Sequence, residues 1–297
     1  MGVIKIFKNL YLKIFVILLS YLLIFYFGYY TYGWGVDNNN KLFPLTKFIK
    51  RNFFDGDYKK ITNYNLKIFN NVSSKNKVSC PKPEEAYVII GFGQSNSANS
   101  AGHRFQNKKK IINFFEGNCY FATDPMLGAT GKGGSLWLSL SQKLNINNQR
   151  IVLATFGVGG SNVGNWLDKK ELFPFYKKNI EELKKKFPKV SAVIWIQGEA
   201  DINTNQYAFE ENLTIWLKTI STDLPEATIY VTGTSFCGGK KNDKIVKIQE
   251  KVSNLLNIVY VGNTDNLNNS YHRYDGCHYS ERGINELADM ISKSWVN

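Results

Sequence analysis

Five short apolar runs constrain this chain more than any other feature: "AYVIIG" (86–91), "RIVLATFG" (150–157), "SAVIWIQG" (191–198), "ATIYVTGTS" (227–235) and "NIVYVGNT" (257–264). Each is rich in β-branched residues and almost unbroken in apolar character, the pattern of a strand covered on both faces. Segments with apolar residues at three- and four-residue spacing lie between and after them: 135–144, 175–187, 206–220, 244–256 and 283–295. Such alternation predicts an α/β fold of three layers, α/β/α, around a five-stranded, mainly parallel sheet. Ligands of such a sheet bind beyond the carboxyl ends of its strands. Chemistry is therefore to be sought in the polar stretches that directly follow the strands, and four stand out: "GFGQSNSANS", "FGVGGSNVGNW", "IQGEADIN" and "YDGCHYSERG".

In the first, Ser95 follows a strand end in a Gly-containing turn and is flanked by Gln94 and Asn96 as supporting side chains. Such a turn projects a hydroxyl and leaves backbone N–H groups free beside it, as a nucleophile needs. The competing role is a polar turn whose Ser or Asn caps the next helix. In the last stretch Asp275 stands three residues before His278, within reach of Nδ1, and can hold the tautomer in which Nε2 accepts a proton. Taken alone, Asp-x-x-His is also compatible with a structural loop histidine. After the second strand, Gly159 and Gly160 allow a backbone amide to approach a substrate oxygen without a Cβ in the way. After the third, Gln197 can offer a side-chain amide to the same oxygen, giving three donors with the Ser95 amide. Glu199 and Asp201 are expected to orient Gln197 and the neighbouring loops, a glycosidase-like carboxylate pair being the alternative. Trp166, Trp195 and Tyr279 are candidates for an apolar wall against a sugar ring, with core packing the competing role for Trp195.

These blocks, "GQSN", "GGSNVGNW", "WIQGEAD" and "DGCHYSERG" in this order, resemble the four catalytic blocks of the SGNH (GDSL-type) hydrolases. The variant with GQSN and W-x-Q-G-E resembles the sialate O-acetylesterase-like carbohydrate esterases, over residues 80–297. The resemblance implies a flavodoxin-like sheet with Ser95 as nucleophile, His278 as general base and then acid, and Asp275 as its orienter. It implies the Ser95 amide, Gly160 and Gln197 as the oxyanion hole, and prefers Gly160 to Gly159 because the family's donor directly precedes a polar residue, here Ser161. It implies an acetylated glycan as substrate, with no metal and no cofactor. Two rivals share the motifs: a glycan O-acetyltransferase served by a separate membrane acetyl donor, and a catalytically silent, membrane-anchored glycan-binding module.

Upstream, "IFVILLSYLLIFYFGYYTYGWG" (14–35) carries no charge and follows Lys5, Lys8 and Lys13. It is long enough for a transmembrane helix and has Tyr and Trp at its far end. The expected organisation is therefore an anchor over 1–35, a membrane-proximal linker over 36–79 and a catalytic domain over 80–297. Four cysteines behind an export-type segment suggest two disulfides in a periplasmic or extracytoplasmic domain. Three pairings are open from the residues. The resemblance implies Cys80 with Cys119 and Cys237 with Cys277. The formal net charge is +13, but no basic block is interleaved with aromatics, so nucleic acid is not an expected partner.

Overall fold

The structure, a computed structural model, describes residues 19–20, 58–59 and 66–296 apart from 109 and 147. The chain divides into two units, Met1–Lys47 and Phe48–Asn297. The anchor expected over 14–35 lies outside the described residues, save Leu19 and Ser20, which are helical. Among the described residues no helix is long and apolar enough to cross a membrane.

The second unit holds a sheet of eight strands: β1 (Lys77–Val78), β2 (Ala86–Gly93), β3 (Ile112–Phe115), β4 (Asn118–Phe121), β5 (Arg150–Thr155), β6 (Ala192–Ile196), β7 (Thr228–Gly233) and β8 (Val259–Asn263). Their order across the sheet is β8-β7-β6-β2-β5-β3-β4-β1. The five predicted runs are β2, β5, β6, β7 and β8. They are contiguous and mutually parallel, with registers such as Ile90 opposite Ala154 and Phe92 opposite Trp195. Their order is the flavodoxin-like one, in which the first run sits between the second and third.

The expected count of five is corrected to eight, in a mixed sheet. β3 continues the parallel ladder beside β5, then β4 and β1 add antiparallel pairs. A two-residue turn at Glu116 (φ 45°) and Gly117 (φ 75°) joins β3 to β4. Both dihedrals are positive, as the twist of a tight hairpin requires.

Of the linker expected over 36–79, residues 36–57 and 60–65 lie outside the described residues. Leu66, Ile68 and Phe69 are buried with the sheet's aromatic core, and β1 pairs Val78 with Cys119. Residues 66–69 carry apolar side chains that need cover, and they pack on the body of the sheet. The disulfide Cys80–Cys119 ties β1 down one step beyond that pairing, and Cys237–Cys277 is the second bridge, both as the resemblance implied.

Among the described residues five α-helices cover the sheet: α1 (Leu136–Lys143), α2 (Phe173–Lys186), α3 (Gln206–Asp223), α4 (Asp243–Leu255) and α5 (Glu281–Lys293). The strand pleat sends Val88, Ile90 and Phe92 of β2 into one core with side chains of α2, α3 and α4. Ile89 goes into the other, with α1 and α5. Trp166, Trp195 and Trp216 meet in the first core, with ring centroids 5.6–5.7 Å apart. Trp166, Trp195 and Tyr279 are fully buried, so the sugar-facing wall considered for them is corrected to core packing.

Candidate active site

β2 ends on Gly93, whose φ is 120° and whose position would bring a Cβ within 1.9 Å of the Ile196 carbonyl oxygen. No other residue fits that crossing of β2 and β6. The chain then turns sharply: Gln94 N–H donates to Ile196 O at 3.1 Å, and a single 3-10 turn spans Ser95–Ser97. Ser97 Oγ closes it by donating to Gln94 O at 2.8 Å. The turn leaves Ser95 at its outer edge, 8 % exposed, with no acceptor for its N–H among the described residues.

The loop after β5 lies alongside. A Cβ built on Gly159 would sit 3.7 Å from Ser95 Cβ, ordinary contact distance. The Gly159 N–H is taken by Thr130 Oγ1 at 2.7 Å. Gly160 is exposed, has φ 77°, and its N–H has no acceptor among the described residues. The free amides beside the serine are thus those of Ser95 and Gly160, and the glycine that the resemblance disfavoured is the occupied one. Ser161, next along, is fastened by Trp166 Nε1 donating to its Oγ at 3.2 Å, which hangs this loop on the aromatic core.

Gln197 is placed differently from the expectation. Its Nε2 stands 2.9 Å from Gln94 Oε1, 2.7 Å from Ser161 O and 2.7 Å from Asp201 Oδ2. Two N–H bonds face three acceptors in a side chain only 1 % exposed, so none is left over for a substrate oxygen. Here Gln197 is a tie between the three strand-end loops. Asp201 helps hold it and also accepts from Val163 N–H, while burial pushes the Asp201 carboxyl up to about 6 against the hydrogen bond from Gln197. Gln94 is held in the same knot, accepting from Gln197 and from Ala200 N–H at 2.9 Å. Glu199 does not reach Gln197. Its Oε1 accepts from Asn96 Nδ2 at 2.6 Å, fixing the residue next to the serine.

The loop before α5 carries the other half of the site. Asp275 Oδ2 lies 2.7 Å from His278 Nδ1, and Oδ1 accepts the N–H groups of His278 at 2.7 Å and Cys277 at 3.0 Å. Burial alone would raise the Asp275 carboxyl. The bonds from the His278 ring and from the two amides outweigh it and hold the group below its ordinary range. Asn96 Nδ2 also donates to Cys277 O at 3.3 Å. The neighbour of Ser95 is therefore bonded directly to the neighbour of His278.

One residue of this arrangement escaped sequence reasoning. Arg273, 1 % exposed, donates from Nε to Leu267 O (2.8 Å), from Nη1 to Cys277 O (2.6 Å) and from Nη2 to the Tyr279 hydroxyl (2.9 Å). Its Nη1 is 3.9 Å from Glu199 Oε1. A fully buried arginine has to be satisfied in this way, because an unpaired charge there would be costly. The local cue was an arginine two residues before the candidate aspartate, which no periodicity distinguishes from a surface charge. Among the described residues no group of three or more metal-ligating side chains is present.

A strand-end serine, an oriented imidazole and unclaimed amides beyond the carboxyl edge of this sheet define an SGNH-type hydrolase site. Residues 85–297 match the family model described as carbohydrate esterase, sialic acid-specific acetylesterase, and the chain belongs to that family. It is accordingly a carboxylic ester hydrolase. No curated protein sequence matches it. Among solved structures, an Arabidopsis thaliana protein is similar in fold, with a TM-score of 0.59 at 19 % identity over 71 % of this chain and 97 % of that one. NanS is similar with a TM-score of 0.51 at 15 % identity, over 72 % and 98 %.

Proposed function

We propose that the protein removes O-acetyl groups from a carbohydrate through an acetyl-serine intermediate. Ser95 Oγ attacks the acetyl carbon while its proton passes to His278 Nε2, with Asp275 holding the ring by Nδ1. The negative oxygen of the tetrahedral species sits between the N–H groups of Ser95 and Gly160. Collapse breaks the ester C–O bond, and His278 returns the proton to the departing sugar oxygen. Water then attacks the acetyl-serine, giving its proton to His278, and acetate leaves as Ser95 is reprotonated.

The observation that carries this reading is the bond from Asn96 to the Cys277 carbonyl, one residue from Ser95 and one from His278. It holds the two reacting segments side by side before substrate arrives, the arrangement from which proximity catalysis profits. The two disulfides suit an oxidising compartment, and we place the catalytic domain outside the cytoplasm, tethered to the membrane by residues 14–35. The test is to incubate the purified protein with a panel of O-acetylated glycans and measure acetate. Wild type should release it and Ser95→Ala should not. Release by Ser95→Ala would overturn the mechanism, and acetyl passed to an added glycan in preference to water would assign a transferase instead.

A further inference from the structure

With Trp166, Trp195 and Tyr279 in the core, a sugar ring needs another surface, and the loop that carries His278 provides one. Residues 273–279 form a tight hairpin. Arg273 and Tyr279 are bridged antiparallel, Tyr274 N–H donates to His278 O at 3.0 Å, and Ser280 N–H donates to His272 O at 2.8 Å. Side chains alternate faces along a strand, and directly opposed residues share one. Arg273 and Tyr279 both turn inward, with the guanidinium 3.7 Å over the phenol ring. The next opposed pair, Tyr274 and His278, therefore turns outward together. Their ring centroids are 6.3 Å apart with planes 30° from parallel, and Tyr274 keeps 38 % of its surface open.

The Tyr274 ring is also held still. Its hydroxyl donates to Ser100 O at 3.2 Å. One face of the ring, over Cδ1, lies against Gly102, where a Cβ would come within 2.7 Å. Both contacts are to the chain just after the nucleophile turn. A ring so fixed from one side loses little freedom when something stacks on its opposite face, which is what makes a rigid ring useful for binding.

The chemistry says what would stack. The general acid must deliver its proton to the departing oxygen, so the leaving alcohol lies within hydrogen-bond reach of the imidazole. A ring attached to that oxygen meets the surface beside His278, and that surface is Tyr274. We propose that Tyr274 is the stacking platform for the pyranose ring of the leaving alcohol, and that it selects acetyl esters carried on a ring with an apolar C–H face. This rests on the esterase reading with His278 as general acid.

The test compares full-length protein on two acetyl esters, a mono-O-acetylated methyl pyranoside and ethyl acetate, whose alcohol has no ring. The measured quantity is the ratio of their kcat/KM values. Tyr274→Ala should lower that ratio about tenfold, chiefly through a higher KM for the pyranoside, because apolar contact with the sugar face is lost. Tyr274→Phe keeps the face and loses only the hydroxyl tether, and should hold the ratio within about threefold of wild type. An unchanged ratio in Tyr274→Ala, including an equal loss on both esters, would overturn the platform and leave Tyr274 a structural residue. So would a fall in Tyr274→Phe as large as in Tyr274→Ala, or a wild type that hydrolyses ethyl acetate and no acetylated pyranoside. Wild type inert toward both esters would refute the esterase reading itself, a result distinct from failure of the platform alone.

Discussion

The substitution Asp275→Asn tests the orientation of the imidazole more sharply than deleting His278, because it changes one atom type and preserves shape. The amide oxygen it introduces would still accept the N–H groups of His278 and Cys277 that Asp275 Oδ1 accepts at 2.7 and 3.0 Å, so the hairpin should keep its form. The atom facing His278 Nδ1 at 2.7 Å would become an NH2 group, a donor where an acceptor stood. The ring then places its proton on Nε2, and an Nε2–H cannot take the proton of Ser95. The loss should fall on kcat, by about 10⁴, the size of the loss for the equivalent change in a serine protease. The stability cost should stay near 1–2 kcal/mol, because one charge-assisted bond is exchanged at a position partly open to water. The assay is steady-state hydrolysis of an acetyl ester beside a thermal melt of the same preparation. A kcat within tenfold of wild type at unchanged KM, in a folded variant, would refute the assignment of Asp275 as orienter.

Two further outcomes follow from the buried polar groups. Gln197→Ala should cost about 3 kcal/mol in urea unfolding, since it strips a donor from three buried acceptors that retain only part of their hydrogen bonding. A variant of unchanged stability with kcat alone reduced would restore Gln197 to the oxyanion hole. Asp201, pushed up to about 6 by burial from an ordinary 3.8, binds its proton more readily folded than unfolded. Its contribution is therefore fully present below pH about 4 and is lost as pH rises through about 6, a change on the order of 3 kcal/mol. Asp124, pushed up to about 6 by burial, acts in the same direction. Asp201→Asn should accordingly flatten about half of the stability change between pH 4 and 7 in denaturant titrations, and an unaltered slope would show that the shift is absent.

The parts of this molecule that were legible in its sequence are those in which one physical requirement governs a whole stretch. Strands buried on both faces must be apolar throughout, and all five such runs became adjacent parallel strands. Helices that cover one face must repeat at three and four residues, and all five expected ones formed. β3 and β4 escaped because their pattern is broken. Asn113 is buried in β3 to accept the Leu127 N–H at 2.8 Å, and Cys119 in β4 is spent on a disulfide. The Glu-Gly pair between two aromatic runs was the available cue, since a two-residue turn with two positive φ angles calls for such a glycine. The site divides in the same way. The strand-end turn at Ser95 and the Asp275–His278 contact were legible because a glycine-bounded turn and a carboxylate three residues before an imidazole are local patterns. Arg273 and the actual partners of Gln197 were not, because both depend on which loops meet across the sheet edge.

That distinction decides where selectivity should be sought. In the hairpin of residues 273–279 one alternation of side chains does two jobs. The inward pair, Arg273 and Tyr279, locks the loop to the core by way of the Cys277 carbonyl. The outward pair sets the imidazole beside a fixed aromatic ring, their centroids 6.3 Å apart. A substitution on the inward side displaces both outward groups at once and should depress every ester alike. One at Tyr274 should separate esters by the shape of their alcohol. Reaction and recognition thus become independently adjustable only where the hairpin's two faces part, at Tyr274 itself.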